Sequence, residues 1–232
     1  MKKLPKIGMI SLLAASCCTI NTVQADAVNL ALGSHGVALE YYLMLSQRVS
    51  ARFALTDMPI DMKRSEDEAD IYLKYDRTNI GMLFDFRPMA GTFHLTTGLY
   101  VGNHNINLNA KVKNNSGETY DVGDQAYYGR NLGVKSSVSF AKAQPYFGLG
   151  WGTLPTKSGF SVNFDIGVLY LGKTSVDITA TGDASLDNST WFNVTSDAIF
   201  QAELEKERRD LEDDAKKIQF APVIQLGMGY KF

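Results

Sequence analysis

Read in steps of two, this chain alternates. Phe160, Val162, Phe164, Ile166, Val168 and Tyr170 are apolar, whereas Ser161, Asn163, Asp165 and Gly167 between them are small or polar. The same period runs through Val37–Leu45 around Ala38, Glu40 and Tyr42. It recurs in Ile80–Phe86 with Arg87 next, in Phe93–Val101 around His94, Thr96 and Gly98, and in Ile224–Phe232 around Gln225, Gly227, Gly229 and Lys231. Successive side chains of a strand point to opposite faces, so each segment predicts a strand with one greasy and one polar face. Each is about the length that crosses a bilayer as a tilted strand.

Turn residues divide the chain. Ser46-Gln47-Arg48, Pro88-Met89-Ala90-Gly91 and Thr153–Ser158 read as short connections, and Ser34-His35 as a tight hairpin. Segments 58–69, 113–130 and 181–216 read as long polar loops. The strands fall at about 27–33, 36–45, 50–57, 70–87, 92–112, 131–152, 159–180 and 217–232. An even strand number with short turns and long loops on opposite sides is the pattern of outer-membrane barrels. The expectation is all-β: an eight-stranded antiparallel transmembrane (outer-membrane) β-barrel with one helical extracellular loop. Such a barrel uses the bilayer as its apolar surroundings, which suits a mean hydropathy of −0.12.

The N-terminus adds an address. Lys2, Lys3 and Lys6 precede an apolar run from Ile7 to Ile20, followed by Val23-Gln24-Ala25. That order predicts a secretory signal peptide over 1–25, with the barrel over 26–232. Cys17 and Cys18 fall inside it. A lipoprotein signal that keeps Cys17 is the rival processing route, with a poor residue three positions before the cysteine. Either route exports the chain to a bacterial envelope, and the expected location is the outer membrane.

Alternation places Glu40, Arg52, Asp85, Arg87, His94, Asp165, Gln225 and Lys231 on inward faces. An eight-stranded barrel is only wide enough inside for side chains. Unpaired charges there are costly, so pairing is expected. Two readings follow. The first is a salt-bridged plug with no permanent pore. The second is a polar path in which a small zwitterion or cation displaces one partner. Met228, Tyr230 and Phe232 form the greasy face of the last strand, the expected C-terminal signal for barrel-assembly machinery. Phe86, Phe93, Phe147, Trp151, Tyr230 and Phe232 are expected near the periplasmic edge, and Tyr100, Tyr127, Tyr128 and Tyr170 toward the outer one, with a lumen-facing position as the alternative for some of these four.

Charge is uneven along the chain. Segments 58–70, 113–130 and 181–216 hold 18 acids and 8 bases. An acidic mouth concentrates cations; alternatively, divalent ions bridge such loops to lipopolysaccharide. Residues 197–217 lack Gly and Pro, and Ser196 or Asp197 can cap a helix there. Ile199, Leu204, Leu211 and Ile218 give a narrow apolar seam, so a solvated helix is expected, with a lid or a partner contact as alternatives. Asp213-Asp214 does not match an EF-hand loop.

Pro145–Gly152 (PYFGLGWG), Phe164–Tyr170 (FDIGVLY), Leu204–Leu211 (LEKERRDL) and the closing Gly-Tyr-Lys-Phe232 resemble small outer-membrane barrels of the CarO-like type. That family is described as ornithine or basic amino-acid uptake porins associated with carbapenem passage. The resemblance implies a narrow channel for small solutes such as basic amino acids. It gives no motif from which binding residues carry over. A closed structural or adhesion-type barrel is the alternative, and an outer-membrane enzyme a remote one. For an enzyme, His104 with Ser116 and Asp121 matches by residue type alone. No cofactor, metal-ligand spacing or nucleic-acid patch is evident.

Overall fold

The computed structural model describes residues 27–65, 69–112, 119–152 and 158–232. The expected signal peptide and most of the 153–158 connection lie outside them. The strands are β1 (Ala27–Gly33), β2 (Gly36–Met44), β3 (Val49–Ser65), β4 (Ala69–Phe86), β5 (Phe93–Val112), β6 (Thr119–Val122), β7 (Gln125–Ser139), β8 (Ala143–Gly152), β9 (Gly159–Tyr170), β10 (Ser175–Ser185), β11 (Phe192–Asn193) and β12 (Phe220–Lys231). One helix, α1, spans Ala198–Lys217.

The described residues are all-β apart from that helix, and their antiparallel sheet closes into a ring. The ring runs β1-β2-β3-β4-β5, crosses to β8 through the lower half of β5, and returns through β9 and β12 to β1. Within the ring, closure pairs each strand with a neighbour on both sides. The lower end carries the turns at Leu45–Arg48 and Arg87–Thr92. The Ser34–His35 turn stands at the upper end, where Gly36 takes a φ of 98° that a side chain would resist.

The ring is uneven in height. β1 and β2 stop at Gly33 and Gly36, whereas β3 continues to Ser65, its residues beyond Met58 pairing with β4 alone. The segment 58–69 expected as a loop is therefore largely a two-stranded ribbon. The upper half of β5 pairs with β7, and β7 with β10, so the tall wall continues upward as an open sheet. The expected strands 131–152 and 159–180 are each broken, at 140–142 and 171–174. The breaks keep their hydrogen bonds: Phe140 N–H donates to His104 O (3.1 Å) and Leu171 N–H to Gln219 O (2.8 Å).

Helix α1 starts where Asp197 caps it, its side chain accepting from Phe200 N–H at 2.8 Å. The expected seam is corrected: Ile199, Leu211 and Ile218 are exposed, and Phe200 with Leu204 is the buried pair. These two join Val112, Val122, Tyr127, Leu132, Ala180, Ala184 and Val194 in a core between the helix and the raised sheet. Phe200, not the i, i+7 leucine, faces inward because Tyr127 and Phe192 stand against it. The helix is thus docked on the wall. Replacing Phe200 with alanine opens a cavity here. Trypsin is expected to cut at Lys206, Arg208 and Arg209 several-fold faster, while the ring resists as before; peptide mapping over time checks this.

A network of charge layered inside the ring

Inward series along β2, β3, β4, β5, β8, β9 and β12 fill the ring in three layers. The lowest is polar. Arg52 on β3 lies at its centre, with a side-chain exposure of 2%. Its Nη2 donates to Asp85 Oδ1 at 2.6 Å, and its Nη1 donates to Glu40 Oε1 and Asp165 Oδ2, both at 3.3 Å. Three carboxylates from three strands thus converge on one guanidinium. Its planar fork can meet several acceptors at once.

Each carboxylate has further donors. Glu40 accepts from Gln225 Nε2 (2.8 Å), Asn29 Nδ2 (2.7 Å) and Tyr42 OH (3.2 Å). Asp85 accepts from Thr96 Oγ1 (2.7 Å) and Ser50 Oγ (3.4 Å). Asp165 Oδ1 and His94 Nε2 are hydrogen-bonded at 2.8 Å. Arg87 reaches the network through Ser50, donating to its Oγ at 3.0 Å. Gly150 is part of this layer, since a Cβ there would collide with both Asp165 and His94. Removing charges from water is costly unless partners repay it, and each carboxylate here has several, while Arg52 Nε and Asn29 Oδ1 are left without one.

The sequence places Glu40, Arg52, Asp85, Arg87, His94 and Asp165 inward, and the structure brings all six together. Lys231 stays on the inward series at the lower rim, half-buried. Met228, Tyr230 and Phe232 point outward on β12 and at its end, and are exposed.

The middle layer is apolar. Leu83, Tyr100, Tyr146, Leu169, Leu171, Val223 and Ala54 form a buried cluster directly above the carboxylates. Tyr100 and Tyr146 meet edge to face at 5.8 Å. Tyr100 thus takes the lumen-facing alternative, and Tyr127 belongs to the core under α1. The upper layer is polar again and holds His35, Thr56, Arg77, Asn79, His104 and Gln144, all at 5% exposure or less. Sequence reading missed Arg77, Asn79, Gln144 and Thr56. Their alternation with outward Thr78, Ile80 and Leu55 was the available signal. His104 hydrogen-bonds Tyr75 OH (2.9 Å) and Gln144 Nε2 (3.3 Å). The suggested partner Ser116 lies outside the described residues.

The outward series is the reverse. Phe160, Val162, Phe164, Ile166, Val168 and Tyr170 on β9 are all exposed, as are Leu30, Leu32, Leu39, Phe53, Leu55, Ile80, Met82, Phe84, Leu95, Leu99, Val101 and Leu226. Aromatic rings cluster at the lower rim, Phe93 against Trp151 at 5.6 Å and Phe160 against Tyr230 at 5.1 Å. Above Leu55, Ile80 and Val101 the outward residues turn polar: Asp57, Thr78 and Asn103.

The acidic upper segments are partly neutralised within themselves. Arg208 donates to Glu205 and Glu212, Lys216 to Asp213, and Lys206 pairs with Asp124. Hydrogen bonds from Arg208 hold Glu205 below the usual carboxylate range, and those from Lys216 and Arg208 do the same for Glu212. Among the described residues no helix is long and apolar enough to cross a membrane, which says nothing of strands. No group of three or more His, Cys, Asp or Glu is placed to hold a metal among them.

No protein-family model matches the chain, and no curated protein sequence is significantly similar to it. Solved structures are. The crystal structure of Acinetobacter baumannii CarO superposes with a TM-score of 0.58 at 16% identity, over 89% of this chain and 97% of that one. Acinetobacter baumannii CarO2 superposes with a TM-score of 0.59 at 14% identity, over 91% of this chain and 100% of that one. At such identities the likeness is one of fold, and the chain has the CarO fold.

Proposed function

We propose that this chain is an eight-stranded outer-membrane barrel of the CarO-like type whose lumen is sealed at rest. The observation that carries this is its inverted polarity. Arg52, Glu40, Asp85 and Asp165 are inside at 2% exposure or less, while the outward face is a belt of Leu, Ile, Val and Phe. Water would penalise such a belt; hydrocarbon does not. Along β5 it runs from Phe93 to Val101, about 26 Å of strand at roughly 3.3 Å per residue. The polar outward ring of Asp57, Thr78 and Asn103 then falls at headgroup height, and the acidic upper segments face outside, next to lipopolysaccharide. On this reading 1–25 is the export signal and the outward face of β12, ending at Phe232, is what assembly machinery recognises.

Sealing follows from the layers. A solute crossing the ring must part the apolar cluster around Leu83 and Tyr146, then break a network in which three carboxylates share Arg52. In planar bilayers the refolded protein is expected to give no steady conductance, and in liposomes no swelling above protein-free controls with ornithine, arginine or an uncharged amino acid. A stable open level in most insertions would reject the sealed state.

A second reading has its own support. Glu40, Asp85 and Asp165 outnumber Arg52, so the arriving side chain of a basic amino acid could replace that guanidinium. Uptake of small cationic solutes predicts swelling with ornithine and arginine alone, reduced in the Asp85→Ala and Asp165→Ala variants. Equal swelling in both variants would argue against this path.

A further inference from the structure

The upper polar layer is a positive site that lacks its anion. Arg77 on β4 is 3% exposed, and no carboxylate of the described residues pairs with it. Its Nη2 has no hydrogen-bond partner. Its Nε finds one acceptor, the Asn79 side-chain oxygen at 3.0 Å in the amide orientation that satisfies both groups. An arginine cannot neutralise itself by losing a proton, and a buried unpaired cation is strongly disfavoured. Arg52, in contrast, has three carboxylates in the lowest layer, beneath the apolar one.

The surroundings share this lack. Both ring nitrogens of His35, Thr56 Oγ1 and Gln144 Oε1 are also buried without partners. These groups belong to one height of the ring. Thr56 pairs across strands with Asn79, and Arg77 with His104. Gln144 bonds to His104, and His35 lies against Tyr100 at 6.3 Å between ring centres. No acidic side chain is among them, and the nearest acids on β3 and β4, Asp57 and Asp76, turn outward to Thr78 and Lys74. Donors therefore converge around a guanidinium to which the described residues offer an amide oxygen but no carboxylate.

We propose that the layer around Arg77, His35 and Thr56 is a binding site for a small carboxylate entering from the upper end. Arg77 donates through Nη2, and Thr56 and His35 donate their O–H and N–H to the same group. Charge-assisted bonds of this kind are about twice as strong as neutral ones. The site is independent of whether solute crosses the apolar layer below, so binding and transport can be tested apart.

The test uses the refolded full barrel in detergent, with acetate as probe and ionic strength held constant with sodium chloride. Folding of every variant is first checked by heat-modifiable mobility. Calorimetric titration is expected to show saturable one-site binding, weakened at least tenfold in Arg77→Gln and unchanged in Arg48→Gln, which alters an exposed lower turn. Imidazole NMR signals of His35 and His104 should shift with the same midpoint. Because Arg77 is unpaired without ligand, Arg77→Gln is also expected to unfold at an equal or higher urea concentration when acetate is absent. Absence of saturable binding, equal binding by Arg77→Gln, or loss through Arg48→Gln would each overturn the site. Should Arg77→Gln fail to fold, Thr56→Val and His35→Asn take its place, with the same tenfold weakening expected and its absence fatal.

Discussion

Replacing Arg52 with methionine is expected to cost the folded barrel about 3–5 kcal/mol, the range for removing one partner of a buried ion pair. The cause is what remains. Glu40, Asp85 and Asp165 would stay inside the ring, at 2% exposure or less, with no central cation. Of the three carboxylates His94 bonds only Asp165, and Arg87 reaches the cluster through Ser50. The urea midpoint of the refolded protein in lipid vesicles measures the loss. The quadruple variant Glu40→Gln, Arg52→Met, Asp85→Asn, Asp165→Asn is expected to recover most of it, since replacing all charges of a buried network is often near neutral. A single variant as stable as the parent would mean that water reaches the cluster, and the sealed lumen would be wrong.

Placing arginine at Ile166 tests the other face. Ile166 is in the middle of the outward series of β9, between Ile224 on β12 and Leu149 on β8. In a bilayer, arginine at that depth costs about 2–4 kcal/mol. In a water-exposed sheet the same change stays within about 0.5 kcal/mol. Urea unfolding in vesicles separates these outcomes. Ile199→Arg on the solvent side of α1 is the control, with little effect expected. Matching midpoints for both variants would remove the membrane from the argument.

How much of this was legible in the chain depends on distance along it. Which face a residue takes is a local property of period two, so Glu40, Arg52, Asp85 and Asp165 could be assigned inward directly. Which charges meet depends on register across strands. Asp165 faces Gly150 on one neighbour and Gln225 on the other, a pairing that no single strand encodes. The apolar layer was hidden for a different reason. Leu83 sits between outward Met82 and Phe84, so its strand reads as continuously greasy, and an inward leucine looks like noise. Leu169 and Val223 sit on the same layer from strands more than fifty residues apart. Helix α1 was legible from composition, but its buried face was not. Phe200 is selected by Tyr127 and Phe192, which reach it only through the fold. The breaks at 140–142 and 171–174 were not legible either, because both halves of each strand carry strand-like residues.

The unequal wall has a consequence for neighbours. Where β3 outruns β2, its main chain offers a bare row of donors and acceptors that another copy of the protein could zip onto. Pro59 lacks the amide proton such an attachment needs, and Asp61, Lys63 and Arg64 crowd the same stretch with charge. The protruding ribbon is thereby insulated, and barrels packed side by side can stay separate molecules.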